Sequence, residues 1–306
     1  MLEKIKLWLT EIRAPFLTAS IVPVLLGAVI AWVVTGSFHW GFFLLTLVAG
    51  ICLHIGTNVA NDYFDHVSGN DEINVDFVRP FTGGSRMIQK GLMRPKEVLI
   101  ESILFFTIGC IIGLYLAWTR GPIILLLGLI GVFSGFFYTA PPFRLANLGI
   151  GEAVVGVNFG VLMVVGSYYV QTGKLSWAAA AAGLPVSFLI AAVLYINEFP
   201  DYAADKAVGK NHLVVRWGKE RAVVGYMVIL ALAYASVILG VAVKAITPYA
   251  LIALLTVPLA IKAYRNAKMY HNNSRKLVPS NAATIMIHLS VGLLMCVGYV
   301  LERVMS

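Results

Sequence analysis

Residues 14–61 contain no aspartate, glutamate, lysine or arginine. A helix crosses a bilayer with about 20 mainly apolar residues, so this run is too long for one crossing. The turn signal Thr35-Gly36-Ser37 divides it into spans near 16–34 and 41–60. Comparable stretches recur near 98–118 (with Glu101 at its start), 122–140, 153–171, 176–196, 222–243, 246–261 and 280–301. The expectation is an all-α membrane protein, a bundle of nine transmembrane helices forming a single domain over 1–306. Composition agrees: 12% of residues are charged, against about 25% in soluble domains. Pro122, Pro185, Pro248 and Pro258 fall within or beside spans, where membrane helices tolerate them. Met1–Arg13 is charged and amphipathic, with no cleavable signal peptide evident. Cys52, Cys110 and Cys296 are far apart in apolar stretches and read as buried small side chains, not as a disulfide or metal set.

Lysine and arginine set the orientation. With the spans alternating, one side carries 19 of the 23, including Lys4, Lys6 and Arg13 at the N-terminus. The other carries Arg120, Lys174, Lys244 and Arg303. The richer side is expected to be cytoplasmic, with the C-terminus outside the plasma membrane. This bias accounts for the net charge of +8 without a nucleic acid partner; the partner it implies is the lipid bilayer.

The six aspartates are confined to 62–76 and 201–205, at the cytoplasmic ends of the second and sixth spans. An ionisable group at membrane depth is costly, so each is a functional candidate. Asn61-Asp62-Tyr63-Phe64-Asp65 and Asn197-Glu198-Phe199-Pro200-Asp201 share the pattern Asn-acid-x-x-Asp, 136 residues apart. At helical spacing Asn61 and Asp65 share a face with His54 and Asn58 beneath them, and Asn197, Asp201 and Asp205 line a second stripe if the helix continues past Pro200. Asp and Asn also cap helices, but capping does not explain their confinement to two matched clusters.

Mg2+ takes a few carboxylates together with phosphate oxygens and water, so two facing clusters suit dications bridging a diphosphate. The metal candidates are Asn61, Asp62, Asp65, Asp71, Asp201 and Asp205. Arg79, Arg86, Lys90 and Arg94 follow the first cluster, and Lys206, Lys210 and Arg216 the second, as partners for anionic phosphate. Asn58, Asn197 and Glu198 lie on the same stripes and complete the substrate-binding candidates. The catalytic segments are placed at about 61–96 and 197–221. Glu72 and Asp76 suit a solvated loop equally well, and His66 and His212 read as loop residues. Glu152 is either a helix N-terminal charge or a site residue, and His54 either a packed polar residue or a site residue.

Several segments together resemble the UbiA superfamily of intramembrane prenyltransferases, and within it the naphthoate-accepting subgroup. They are Asn58-Val-Ala-Asn-Asp-Tyr-Phe-Asp65 with Gly69 and Asp71, Thr82-Gly-Gly-Ser-Arg86, Tyr138-Thr-Ala-Pro-Pro-Phe-Arg144, Gly149 to Glu152, Phe159-Gly160, Tyr168-Tyr-Val-Gln-Thr-Gly173, Asn197 to Asp201 with Asp205, and Val214-Val-Arg216. The resemblance covers nearly the whole chain. It departs from the general pattern at Gly69, where an aspartate is usual, and at Val161, where proline is usual. It implies a nine-helix bundle and Mg2+-dependent transfer of a polyprenyl group from an allylic polyprenyl diphosphate to 1,4-dihydroxy-2-naphthoate. Diphosphate and carbon dioxide would be released. It places the loop carrying Arg144 over the mouth of the site. Tyr138 then either faces the allylic cation or is an interface aromatic. Another acceptor (4-hydroxybenzoate, a chlorin or a glyceryl phosphate) and, from a different class, a secondary transporter remain as alternatives.

Overall fold

The computed structural model describes residues 2–305, and the described residues contain helices and no strand. A short amphipathic helix, α1 (Leu2–Glu11), precedes the spans. Its Leu7 and Trp8 pack on a buried cluster of Ile55, Val59 and Val98 with Met87 and Met93. The spanning helices follow as α2 (Thr18–Thr35), α3 (Trp40–Val67), α5 (Pro95–Arg120), α7 (Gly151–Thr172), α8 (Trp177–Ala207), α10 (Lys219–Ala242), α11 (Pro248–Tyr270) and α12 (Ser274–Met305). Two short helices lie in the connections, α4 (Asn70–Ile73) and α9 (Leu213–Trp217).

These eight helices are long and apolar enough to cross a membrane; the sequence led us to expect nine. The ninth position, 122–140, is occupied by α6, Ile123–Phe136, of 14 residues. At 1.5 Å per residue such a helix is about 21 Å long, short of a hydrocarbon core of about 30 Å. α6 stops because the Pro141-Pro142 pair cannot continue it and restricts the residue ahead. Its unwound continuation carries Tyr138 into a polar cavity, and non-helical backbone is tolerated at membrane depth where it lines such a cavity.

α8 is the most enclosed span. It contributes Val186, Leu189, Ala192, Tyr195, Ile196 and Phe199 to a core shared with α2, α10 and α12. Trp40, Trp118 and Trp177 are 68%, 84% and 91% exposed. By connectivity they stand at the ends of α3, α5 and α8 opposite the aspartates. α7 contains one π turn, Asn158–Leu162. There Gly160 packs directly on α8, where an added Cβ would collide with Ser187, and the Ser187 hydroxyl accepts from the Val161 N–H at 3.0 Å.

Candidate active site

Helix continuity builds the site. α3 runs on to Val67 and α8 runs through Pro200 to Ala207, so the second stripe keeps its helical register past the proline. Both aspartate clusters therefore emerge on one side of the bundle. They line a single cavity of about 200 Å³ with Asp65, Asp71, Asp201, Asp205 and Lys210 on its wall. Asn58, Asn61, Tyr138, Asn197 and Glu198 line it too.

The segment after α3 ties the two clusters together. Asn70 donates to Asp205 at 2.8 Å and Asn74 to Asp201 at 2.7 Å. Lys210 donates to both Asp65 oxygens at 3.1 Å and lies 3.7 Å from Asp205, so one ammonium bridges the stripes. Asn61 donates to Asp65 at 3.0 Å, and Asn281 of α12 donates to the side-chain oxygen of Asn197, Oδ1, at 2.7 Å. Arg86 holds the loop in shape. Its guanidinium donates to the backbone oxygens of Asp71 and Asn74 and lies 4.0 Å from the Phe77 ring centroid.

Other candidates fall outside the cavity. Asp62 accepts from the Ser85 N–H at 2.7 Å, and its second oxygen abuts Gly84; it anchors the 82–86 turn. Arg79 donates to the Ser85 carbonyl at 2.6 Å. Arg216 donates to the carbonyls of Asn211 and Leu148 at 2.7 and 2.8 Å, tying two loops. Lys206 is exposed beside the Tyr202 ring, and Lys90 and Arg144 are exposed. Of the cations named from the sequence as phosphate partners, Lys210 alone lines the cavity.

Electrostatics fit a dication. The lining brings five carboxylates together against Lys210, Arg13 and His212. Burial, with the Asp65 and Asp62 charges behind it, pushes the Asp71 carboxyl up to about 8. Burial opposes the charge on Lys210, but the Asp65 and Asp205 carboxylates outweigh it and hold the ammonium well above the ordinary lysine value. Uncompensated carboxylates with hard oxygen donors suit Mg2+. The Asn70 Oδ1 atom, buried without a hydrogen-bond donor, is a further unmet acceptor.

A second, mostly apolar chamber of about 490 Å³ adjoins the first and shares His54, Thr57, Gly135, Asn158 and Phe159 with it. The π turn in α7 aims Asn158 and Phe159 at this junction, and Asn158 is held there by Ser134 at 2.7 Å. Gly113, Gly128 and Gly131 line the chamber with open space where a side chain would be.

His212 departs from the sequence reading. It is 2% exposed and sits between Asp205 at 2.9 Å and Glu198 at 3.3 Å. Glu152 approaches both Glu198 and His212 and accepts from the Leu213 N–H at 2.8 Å. Asn70, Asn74, Asn158 and Arg13 were missed as site residues. Nothing in local spacing marks Asn158 or Arg13. Asn70 and Asn74, four residues apart beside Asp71, carried a weak signal.

A family model described as the UbiA prenyltransferase family matches residues 20–291. The chain is 30% identical over 300 residues to a 2-carboxy-1,4-naphthoquinone phytyltransferase of Synechocystis sp., covering 96% of this chain and 93% of that one. It is 27% identical over 290 residues to a 1,4-dihydroxy-2-naphthoate octaprenyltransferase of Bacillus subtilis, covering 95% and 91%. A UbiA homologue from Archaeoglobus fulgidus, solved bound to DMAPP and Mg2+, superposes with a TM-score of 0.57 at 17% identity, covering 95% and 99%. This multi-pass integral membrane protein belongs to the UbiA prenyltransferase family.

Proposed function

We propose that the protein transfers a polyprenyl group from an allylic polyprenyl diphosphate to 1,4-dihydroxy-2-naphthoate. Diphosphate and carbon dioxide leave, and a demethylmenaquinone is formed as its quinol. The observation that carries this reading is the joined pair of cavities. One is acidic and suited to a metal-bound diphosphate; the other is apolar and suited to the prenyl tail. The naphthoate acceptor rests on the Synechocystis and B. subtilis relatives, both named for naphthoquinone or naphthoate substrates.

Asp65, Asp201 and Asp205 would hold Mg2+, with Asp71 and Asn61 beside them, and Mg2+ bound there supplies charge neutralisation for the departing diphosphate. Lys210 meets phosphate oxygens as a point charge. Tyr138 presents its ring where the allylic carbon passes from the acidic cavity towards the chamber. The chamber walls keep water from that carbon, so the aromatic ring is the nucleophile that reaches it. The segments 61–96 and 197–221 thus act together in one domain. The charge bias supports a cytoplasmic position for them at the plasma membrane, and with α6 and its non-helical continuation completing a ninth crossing the C-terminus lies outside.

Mass spectrometry of products from purified protein tests the reading. The assay supplies Mg2+, several polyprenyl diphosphates and a panel of acceptors: the naphthoate, 4-hydroxybenzoate, a chlorin and a glyceryl phosphate. A prenylated, decarboxylated naphthoquinol is expected. Prenylation of another acceptor alone would overturn the assignment, and no Mg2+-dependent diphosphate release with any acceptor would favour a transporter.

A further inference from the structure

The acidic clusters account for one end of the polar cavity. Its other end is lined by Arg13, His54 and Phe159, with Ser20 against His54, and none of these groups holds the diphosphate. His54 lies 11 residues before Asp65 on α3, about 16 Å further along the helix axis. That is too far for a diphosphate held at Asp65 to reach.

Three observations single this end out. Ser20 and His54 are 0% and 6% exposed, and the Ser20 hydroxyl lies 2.8 Å from His54 Nδ1. Phe159 meets the imidazole edge-on at 4.6 Å between centroids. His54 therefore has one nitrogen engaged and its ring orientation set, at the point where the two cavities join. Arg13 sits in a left-handed conformation at φ 52°, its guanidinium 4.7 Å from the Phe16 ring centroid. Its guanidinium makes a long hydrogen bond of 3.5 Å to the Phe81 carbonyl, and its Nε is buried without a partner. No carboxylate is paired with it among the described residues, although it lines the cavity. A guanidinium so placed needs a planar anion.

We infer that this end is the acceptor subsite, in which Arg13 binds the acceptor's carboxylate and His54, oriented by Ser20, accepts the proton of its ring hydroxyl. The inference rests on the acceptor class proposed above. In the imidazole tautomer that donates from Nδ1 to Ser20, Nε2 keeps its lone pair for that proton. The hydroxyl proton moves to Nε2 and the ring gains phenolate character. The ring carbon forms a bond to the allylic carbon as the bond from that carbon to the diphosphate oxygen breaks. The carboxylate then leaves as carbon dioxide, its bonding pair returns to the ring, and His54 gives the proton back to the oxygen. No net proton, oxidant or reductant is required. Ser20 is a positioning residue; His54 and Arg13 touch the substrate.

The test uses the full chain in detergent with Mg2+ and a polyprenyl diphosphate. The acceptor is either 1,4-dihydroxy-2-naphthoate or 1,4-dihydroxynaphthalene, which lacks the carboxylate. Arg13→Met should raise KM for the naphthoate about tenfold or more. It should leave KM for the prenyl diphosphate, and turnover of the carboxylate-free acceptor, unchanged. His54→Gln should lower kcat on both acceptors on the order of 10²-fold at an unchanged KM for the prenyl diphosphate. Ser20→Ala should lower kcat less, with both KM values kept, and it carries the test if His54→Gln does not fold. Wild-type kcat in Ser20→Ala and His54→Gln, or a raised prenyl diphosphate KM in Arg13→Met, would overturn the subsite while leaving the function in place. Wild-type protein that prenylates a different acceptor and never the naphthoate would sink the functional reading itself, and this inference with it.

Discussion

Lys210→Met removes the one lysine that bridges the two aspartate clusters. Its ammonium and the Asp65 carboxylate have side chains 16% and 14% exposed, and two contacts of 3.1 Å join them. A pair this enclosed is not a surface salt bridge contributing a few tenths of a kcal/mol. Removing one partner leaves the other charge buried and unpaired, at a cost of about 3–5 kcal/mol. With an unfolding entropy of about 2.1 cal/mol/K per residue, a chain of 306 residues would lose about 5–8 °C of melting temperature. Part of that loss should be recovered by Mg2+, because a dication at Asp65 and Asp205 replaces the missing charge. The wild type, already compensated, should gain less. Thermal unfolding of both proteins in detergent, with Mg2+ and with a chelator, measures the two effects. A variant as stable as wild type in chelator would refute the claim that Lys210 compensates the clusters. An equal Mg2+ gain in both proteins would refute the claim that metal and lysine share the same carboxylates.

Asp65→Ala should lower turnover on the order of 10²-fold or more while the protein still inserts; near-normal steady-state rates would remove Asp65 from the metal site. Gly131→Leu fills open space in the apolar chamber and should shift product chain length downwards in competition between short and long prenyl diphosphates, with the shortest donors unaffected. Gly84 has φ +64° and an added Cβ would stand 2.7 Å from Asp62 Oδ1, so Gly84→Ala should cost about 1–3 kcal/mol, read as increased proteolysis of the 82–86 turn. A reporter fused after Ser306 should behave as external; cytoplasmic behaviour would contradict the charge-based topology.

The sequence by itself determined the class of fold and the two halves of the site, because both are written in short-range patterns. Charge-free runs longer than a bilayer crossing leave a chain no other solvent, and helical periodicity puts Asn61 with Asp65, and Asn197 with Asp201 and Asp205, on single faces. α6 shows where that signal stops. Hydropathy marks 122–140 as apolar, but whether the last turns stay helical depends on the cavity that receives Tyr138.

Only the tertiary structure decided which of the marked residues enter the cavity. Asp62 and Asp65 are three residues apart and look equivalent in the motif, yet packing of the 82–86 turn gives Asp62 to the Ser85 N–H and leaves Asp65 to Lys210. The cations after each cluster are likewise indistinguishable in sequence. Arg86 and Arg216 spend their donors on loop carbonyls, whereas Lys210 turns inward. His212 reads as a loop residue until α9 folds back and buries it between Asp205 and Glu198. Arg13 counts as one more positive charge at the N-terminus until it lines the same cavity as His54, 41 positions later in the chain. Each of these outcomes turns on contacts between segments far apart in the chain, and helical periodicity carries no information beyond its own helix.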